Sequence, residues 1–349
     1  MRQMKKTFYN CLLLLTATLL GRLPASAQDH MYSQFFNSPV YLNPALNGQF
    51  KGDLRMNLIY RNQYTSVPGG LSYLSASIDY NVPQFGGGIG LLFTRSSEGY
   101  AYLNKNNIAG IYSYSVGSED YVLSFGLQAG VTNRSVDFSK LAFGDQIDPR
   151  LGYIPGSETG ADKPAFNNKF YFDAGAGINL TLKSFNIGGA AQHVNRPNES
   201  FTGAPAKLPI RATLHASFRY NLTQDDNLDD EDKSYIIPSV VFYKQAQAQS
   251  LNAGMQYKRR SISAGLWYRS SGQGGPGAVV ISFIFDLFIN KEGGEKVRFG
   301  VSHDVPAGGL NYSNTSGTTE GSIGYETTLP SRYGSDHKFL GASRCYDFY

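Results

Sequence analysis

The sequence predicts an all-β fold: a transmembrane, antiparallel, up-and-down β-barrel of about fourteen strands, preceded by a cleaved signal peptide and a short periplasmic N-terminal segment. Three observations predict it. Segments of about ten residues alternate apolar and polar side chains from end to end of the chain. Behind the leader no stretch approaches the roughly 18 consecutive apolar residues of a transmembrane helix. The links between successive segments alternate between long and short, as the two sides of an outer-membrane barrel require.

The leader comes first. Arg2, Lys5 and Lys6 form a positive start, Cys11 to Leu20 a short apolar run, and Ala25-Ser26-Ala27 a small-residue cleavage site before Gln28. Cys11 precedes the apolar run rather than following it, which argues against a lipid-modified Cys. Residues 1–27 hold Arg2, Lys5, Lys6 and Arg22 and no acid, so they carry the entire net charge of +4. The mature chain is neutral, and its basic precursor says nothing about nucleic acid. Only Cys345 survives cleavage, which excludes an intramolecular disulfide and leaves a buried thiol as the simpler reading.

The strands follow in order. In the first, Leu54, Met56, Leu58 and Tyr60 alternate with Arg55, Asn57 and Arg61. Two arginines on one face suit a watery lumen better than a packed sandwich. The second is the clearest: Leu74, Ala76, Ile78, Tyr80 and Val82 oppose Ser75, Ser77, Asp79 and Asn81. Further segments centre on Leu91, Tyr112, Leu127, Ala176, Ile187, Leu214, Val240, Ala253, Leu266, Phe283 and Phe299, with a weak last one around Ile323 and Tyr325. An even number satisfies closure, and closure is needed because an open edge in lipid costs several kcal/mol for each unpaired group. With 24 Tyr and 22 Phe against one Trp, and 39 Gly, the composition suits strands of which only alternate residues meet lipid.

With a periplasmic N-terminus the odd links point outward. Arg95–Asn106, Asn133–Asn168, His193–Lys207 and His303–Gly321 are long, whereas Asn81–Gly86, Gly117–Asp120, Lys183-Ser184 and Lys258–Ser261 are tight. The exception is the inward link Asn221–Lys233, with its acidic run over 225–232. The resulting organisation is a signal peptide at 1–27, a periplasmic N-terminal segment at 28–52, the barrel at 53–328 and a periplasmic tail at 329–349.

No chemistry-bearing constellation emerges. The acidic run lacks the alternate spacing and the turn glycine of a calcium loop, and reads as a solvated loop or a contact for a periplasmic partner. The five His residues form no pair with metal-ligand spacing, so neither a metal nor another cofactor is expected. His193 with Asn195 has no nucleophile motif beside it, and no enzyme is expected. Glycine clusters such as Gly86-Gly87-Gly88 precede no helix and read as strand bends and close packing. The long outward link carries Phe138, Leu141, Phe143 and Ile147, which suit either a cap over the barrel or an extension of strand pairing.

The opening of the mature chain, Gln28-Asp29, Ser33-Gln34-Phe35-Phe36 and Tyr41-Leu42-Asn43-Pro44-Ala45-Leu46-Asn47-Gly48, resembles that of the PorP/SprF family of type IX secretion outer-membrane barrels found in Bacteroidetes. Tyr60-Arg61-Asn62-Gln63-Tyr64, Phe143-Gly144-Asp145-Gln146, the block from Pro238 to Arg269 and Ser302-His303-Asp304 resemble later family segments. Cys345-Tyr346-Asp347-Phe348-Tyr349 is similar to the family's Cys-Pro-x-Phe ending, with Tyr346 in place of the proline and one residue added.

The resemblance implies a non-enzymatic outer-membrane component that supports secretion or surface attachment of cargo carrying a C-terminal sorting domain, in some members linked to gliding. It also implies partners among OmpA-like peptidoglycan-binding proteins or other periplasmic type IX components. The expected partner-binding residues are Tyr32, Phe35, Phe36, Tyr41, Asn43 and Pro44 of the opening, and Phe143, Asp145 and Gln146 of the outward link. The opening aromatics suit partner contact and plugging of the barrel mouth equally well. Two rival functions remain open: a passive or substrate-specific porin lined by Arg55, Arg61, Asp79, Asp173, Arg211 and Arg219, and a transporter of hydrophobic compounds with its N-terminal segment in the lumen.

Overall fold

The structure is a computed structural model that describes residues 29–329 except the short segments 83–85, 100–102, 119, 155, 162–165, 203–204, 224–231, 272–276, 291–294 and 308–311. The leader, most of the acidic run, and the tail with Cys345 therefore lie outside the described residues.

Among the described residues fourteen long strands pair antiparallel with their sequence neighbours. They are β1 (Leu54–Gln63), β2 (Leu71–Val82), β3 (Gly87–Glu98), β4 (Leu103–Gly117), β5 (Tyr121–Ser135), β6 (Asn168–Leu182) and β7 (Phe185–Gln192). The second half comprises β8 (Arg211–Phe218), β9 (Ser234–Gln245), β10 (Ala248–Arg259), β11 (Ile262–Ser271), β12 (Gly277–Asn290), β13 (Glu295–Ala307) and β14 (Thr318–Thr327). The ladder between β1 and β14, from Leu54↔Thr327 to Gln63↔Thr318, closes the barrel. Among the described strands no edge remains to expose unpaired backbone to lipid. β8 is interrupted at Arg219, whose N–H bonds the Ser184 carbonyl at 2.9 Å, and it resumes at Tyr220–Asn221 against β9.

The alternation read from sequence sorts onto the two faces of the wall. Met56, Leu58, Ile89, Leu91, Ile108, Leu127, Leu214, Leu266 and Phe283 are exposed outward. Arg55, Arg61, Asp79, Asn107, Asp173, Arg211 and Thr213 are buried inward. Exposed aromatics lie near both ends of the strands: Tyr60, Phe170, Phe172 and Tyr268 at one, Tyr114, Tyr121, Phe218, Tyr220 and Tyr257 at the other. Such paired girdles mark the two membrane interfaces. The link after β5 runs from 136 to 167 and that after β7 from 193 to 210, whereas those after β6 and β10 hold two residues each. We call these the long-link and short-link ends. Among the described residues no helix is long and apolar enough to cross a membrane.

The lumen is filled by the chain's own N-terminal segment. Tyr32, Phe35, Val40, Leu42, Asn43, Ala45, Leu46, Asn47 and Phe50 are each at most 2% exposed, which only enclosure by the wall achieves for so short a stretch. Several wall glycines face this plug. A Cβ on Gly126 (β5) would overlap the Pro44 backbone, and one on Gly88 (β3) would come within 2.7 Å of the Gly48 Cα. These glycines allow backbone to approach backbone, the close packing that glycine in a strand permits.

Gly126→Val therefore sets plug against wall, an overpacking cost of about 1–3 kcal/mol, whereas Gly321→Val extends into open space on the outer face. The expected result is that only the first variant admits protease into residues 29–50 while the barrel keeps its folded, heat-modifiable mobility on gels.

Candidate functional site

The plug folds by local rules. Ser38-Pro39 and Asn43-Pro44 each begin a turn with proline in the first helical position, where a missing N–H costs nothing. Phe35–Asn37 forms a 3-10 turn, Pro39–Leu42 a single helical turn and Pro44–Leu46 another 3-10 turn. The Asn43 side chain accepts the Ala45 N–H at 2.9 Å, and its amide donates to the Ile178 carbonyl at 3.0 Å. The compact turns bond their own backbone, which a segment removed from water requires.

Two apolar clusters fix the plug laterally. Phe35, Phe36, Leu42 and Leu46 pack on Val241, Tyr243, Trp267, Val280 and Ile284 of β9, β11 and β12. On the opposite wall, Tyr32, Val40 and Tyr41 pack on Ile59, Tyr73, Leu92 and Ile111 of β1 to β4. His30 stacks on Tyr73 with ring centroids 4.2 Å apart.

Three polar clusters fix it along its length. Towards the long-link end, Arg61 pairs with Glu320 and, at 3.1 Å, with Asp304, which also takes Arg269 at 3.0 Å. The same acids bind the plug: Glu320 accepts the N–H groups of Ser33 (2.7 Å) and Gln34 (2.9 Å), and Asp304 accepts the Ser33 hydroxyl at 2.7 Å. At the long-link mouth Asp29 meets Lys105 at 2.8 Å and His193 at 2.6 Å, with Asp173 2.8 Å from the other His193 nitrogen. Arg211 donates to the Tyr41 hydroxyl at 2.6 Å and lies over its ring. Towards the short-link end, Asp79 holds Arg55 at 3.0 and 2.7 Å and accepts the Gly48 N–H at 2.9 Å, while Arg55 also donates to the Leu46 carbonyl.

A cavity of about 80 Å³ remains beside Asp29, between His30, Lys105, Arg134, His193 and Arg211. Among the described residues no group of His, Cys, Asp or Glu is arranged to hold a metal ion.

The outward-link residues lie elsewhere. Gln146 is buried and braces the link after β5: its side chain accepts the Phe143 N–H at 3.0 Å and donates to the Ser157 carbonyl at 2.7 Å. Asp145 accepts the Gly160 N–H at 2.7 Å and the Thr159 hydroxyl at 2.9 Å, which hold its carboxyl below the usual carboxylate range. Around this frame Ile147, Leu151, Tyr153, Ile154 and Phe166 are exposed.

The nine residues singled out in the sequence thus occupy two places. Tyr32, Phe35, Phe36, Tyr41, Asn43 and Pro44 are buried in the lumen, and Phe143, Asp145 and Gln146 organise the long link. Sequence reasoning missed the wall's half of the lumen contacts. Trp267, Val241, Tyr243 and Ile284 are apolar residues in the polar phase of their strands, and that break in alternation is the signal for an apolar occupant.

The family model for the type IX secretion system membrane protein PorP/SprF matches residues 25–325. The chain belongs to the PorP/SprF family. It is a type IX secretion protein whose barrel suits the outer membrane, and its family and fold are those of a secretion or transport membrane protein. No curated protein matches it in sequence. Similar solved structures include a Pseudomonas aeruginosa FadL homologue, 12% identical, covering 83% of this chain and 94% of that one at a TM-score of 0.43. The Ralstonia pickettii toluene transporter TbuX is 13% identical, with coverage of 84% and 94% and a TM-score of 0.45. The Acinetobacter baumannii outer membrane protein Omp33 is 8% identical, with coverage of 79% and 99% and a TM-score of 0.39.

Arg61→Ala takes the cation from fully buried Glu320, while Asp304 keeps Arg269 at 3.0 Å, and breaking such a buried pair costs about 3–5 kcal/mol. Urea unfolding in detergent checks this, and Arg61→Met combined with Glu320→Gln should recover most of the loss. A cost below about 1 kcal/mol would mean that lumen water solvates the freed Glu320 carboxylate as an exposed surface does.

Proposed function

We propose that this PorP/SprF barrel is a closed-lumen platform in the outer membrane rather than a conduit. It supports secretion or surface attachment of cargo carrying a C-terminal sorting domain, and it connects inward to OmpA-like or other periplasmic type IX components. A cleaved leader at 1–27 exports it. On this reading the long-link end faces the cell surface, because outer-membrane barrels carry their longer links outside. The framed link at 136–167 stands on the cargo side, and the acidic link after β8 meets the periplasm. The gliding connection is part of the same proposal and rests on the family alone.

The single observation that supports a platform over a porin is the filled lumen: residues 32–50 are buried and bonded to the wall through Arg55, Arg61, Asp79, Asp304 and Glu320. A passive pore needs those same inward charges to face water.

Purified protein in planar bilayers is expected to pass no stable open-channel current. Deleting residues 29–47, or combining Phe35→Ala with Phe36→Ala to loosen the plug, should produce one. Affinity purification from the native outer membrane should recover a sorting-domain cargo or a peptidoglycan-binding partner. Steady conductance by the intact chain, with the barrel recovered alone, would favour the porin.

A further inference from the structure

The two ends of the plug are anchored differently, and the difference sets a direction. At the short-link end the chain is continuous with the wall. The Gly48 N–H bonds Asp79, the Asp53 N–H bonds the Thr327 carbonyl at 2.9 Å, the Asn81 N–H bonds the Asp53 carbonyl at 2.8 Å, and β1 begins one residue later. At the long-link end the plug is held by side chains. Asp29 contacts Lys105 near the start of β4, His193 just past β7 and Gln245 at the end of β9, all at the same mouth. Its own N–H donates to the Gln245 side chain at 2.7 Å. The Asp29 side chain keeps 13% of its exposure, whereas that of Asp79 has none. The cavity beside Asp29 leaves room there.

We infer that the N-terminal segment is threaded through the barrel from the outward mouth to the inward one, so that the start of the mature chain opens on the cell-surface side and a partner arriving from that side reaches the free end of the plug. The segment 28–52, expected from sequence to lie on the periplasmic side, is thereby an internal element with an external beginning. The inference rests on the outward orientation of the long links.

Cysteine accessibility in intact cells tests it, in a Cys345→Ser background with folding checked by heat-modifiable mobility. One protein carries a Gly-Ser-Cys-Gly insertion between Gln28 and Asp29, and a second carries Asp29→Cys in case the insertion blocks assembly. Thr65→Cys, in the exposed link after β1, reports the long-link end; Lys51→Cys, exposed just before β1, reports the short-link end. A membrane-impermeant maleimide should label the N-terminal cysteine in intact cells to about the extent of Thr65→Cys, with Lys51→Cys labelled only after permeabilisation. Thr65→Cys labelled in intact cells, with the N-terminal cysteine reached only after permeabilisation or in neither state, would overturn the threading. If Thr65→Cys itself needs permeabilisation and Lys51→Cys does not, the orientation is wrong and the external beginning falls with it.

Discussion

Closure of the wall is the constraint on which the rest of this structure depends. Hydrocarbon offers no partner to a backbone N–H or C=O, so the first and last strands must pair, and β1 and β14 do so along ten residue pairs. Closing fourteen strands encloses more space than inward side chains fill, since barrels of about eight strands already use up their side chains on the interior. The space must then hold water or protein. Ile59, Leu92, Val241, Trp267, Val280 and Ile284, all inward and nearly fully buried, decide for protein. Left in a watery lumen, each such side chain would forfeit the roughly 1.5–3 kcal/mol that burial contributes.

The buried ion pairs follow from the same enclosure. Arg61 sits between Asp304 and Glu320, and both acids also take hydrogen bonds from the plug at Ser33 and Gln34. Desolvating three charges offsets most of their attraction, so the cluster adds little net stability. Its effect is positional: an acid that must accept the Ser33 and Gln34 N–H groups admits one register of plug against wall. Arg55 and Asp79 act alike at the other end, on the Leu46 carbonyl and the Gly48 N–H. The apolar clusters hold the plug in the lumen, and the polar ones decide how it sits.

Much of this was legible in the sequence, because a period of two leaves a direct trace. The outward face of every strand was readable, as was the contrast between long and short links. The opening segment stood out for its aromatics and its family motif. Its contacts were not readable: nothing local in Asn43 announces the Ile178 carbonyl, 135 positions away. Nothing around Gly126 in the sequence announces the Pro44 backbone packed against it. Asp145 and Gln146 drew notice as part of a motif, but their partners Ser157, Thr159 and Gly160 carry no pattern that links them to it. The overlooked sequence signal was the inward phase of β9, β11 and β12, where Val241, Tyr243, Trp267 and Ile284 replace the expected polar residues.

A filled lumen moves the question of function from the bore to the rims. In the proposed platform nothing crosses the barrel, its contribution to secretion lies in what its ends hold, and the long link after β5 is the proposed cargo contact. Asp145 and Gln146 bond Phe143, Ser157, Thr159 and Gly160 together, and Leu151, Tyr153 and Ile154 remain exposed beside these contacts. Exposed apolar groups on a disordered loop would lose part of any binding energy to ordering, at roughly 0.5–1.5 kcal/mol for each immobilised side chain. On a braced link much of that ordering has already occurred during folding. The proposed cargo contact therefore assigns Asp145 and Gln146 to positioning the apolar side chains rather than to touching the partner.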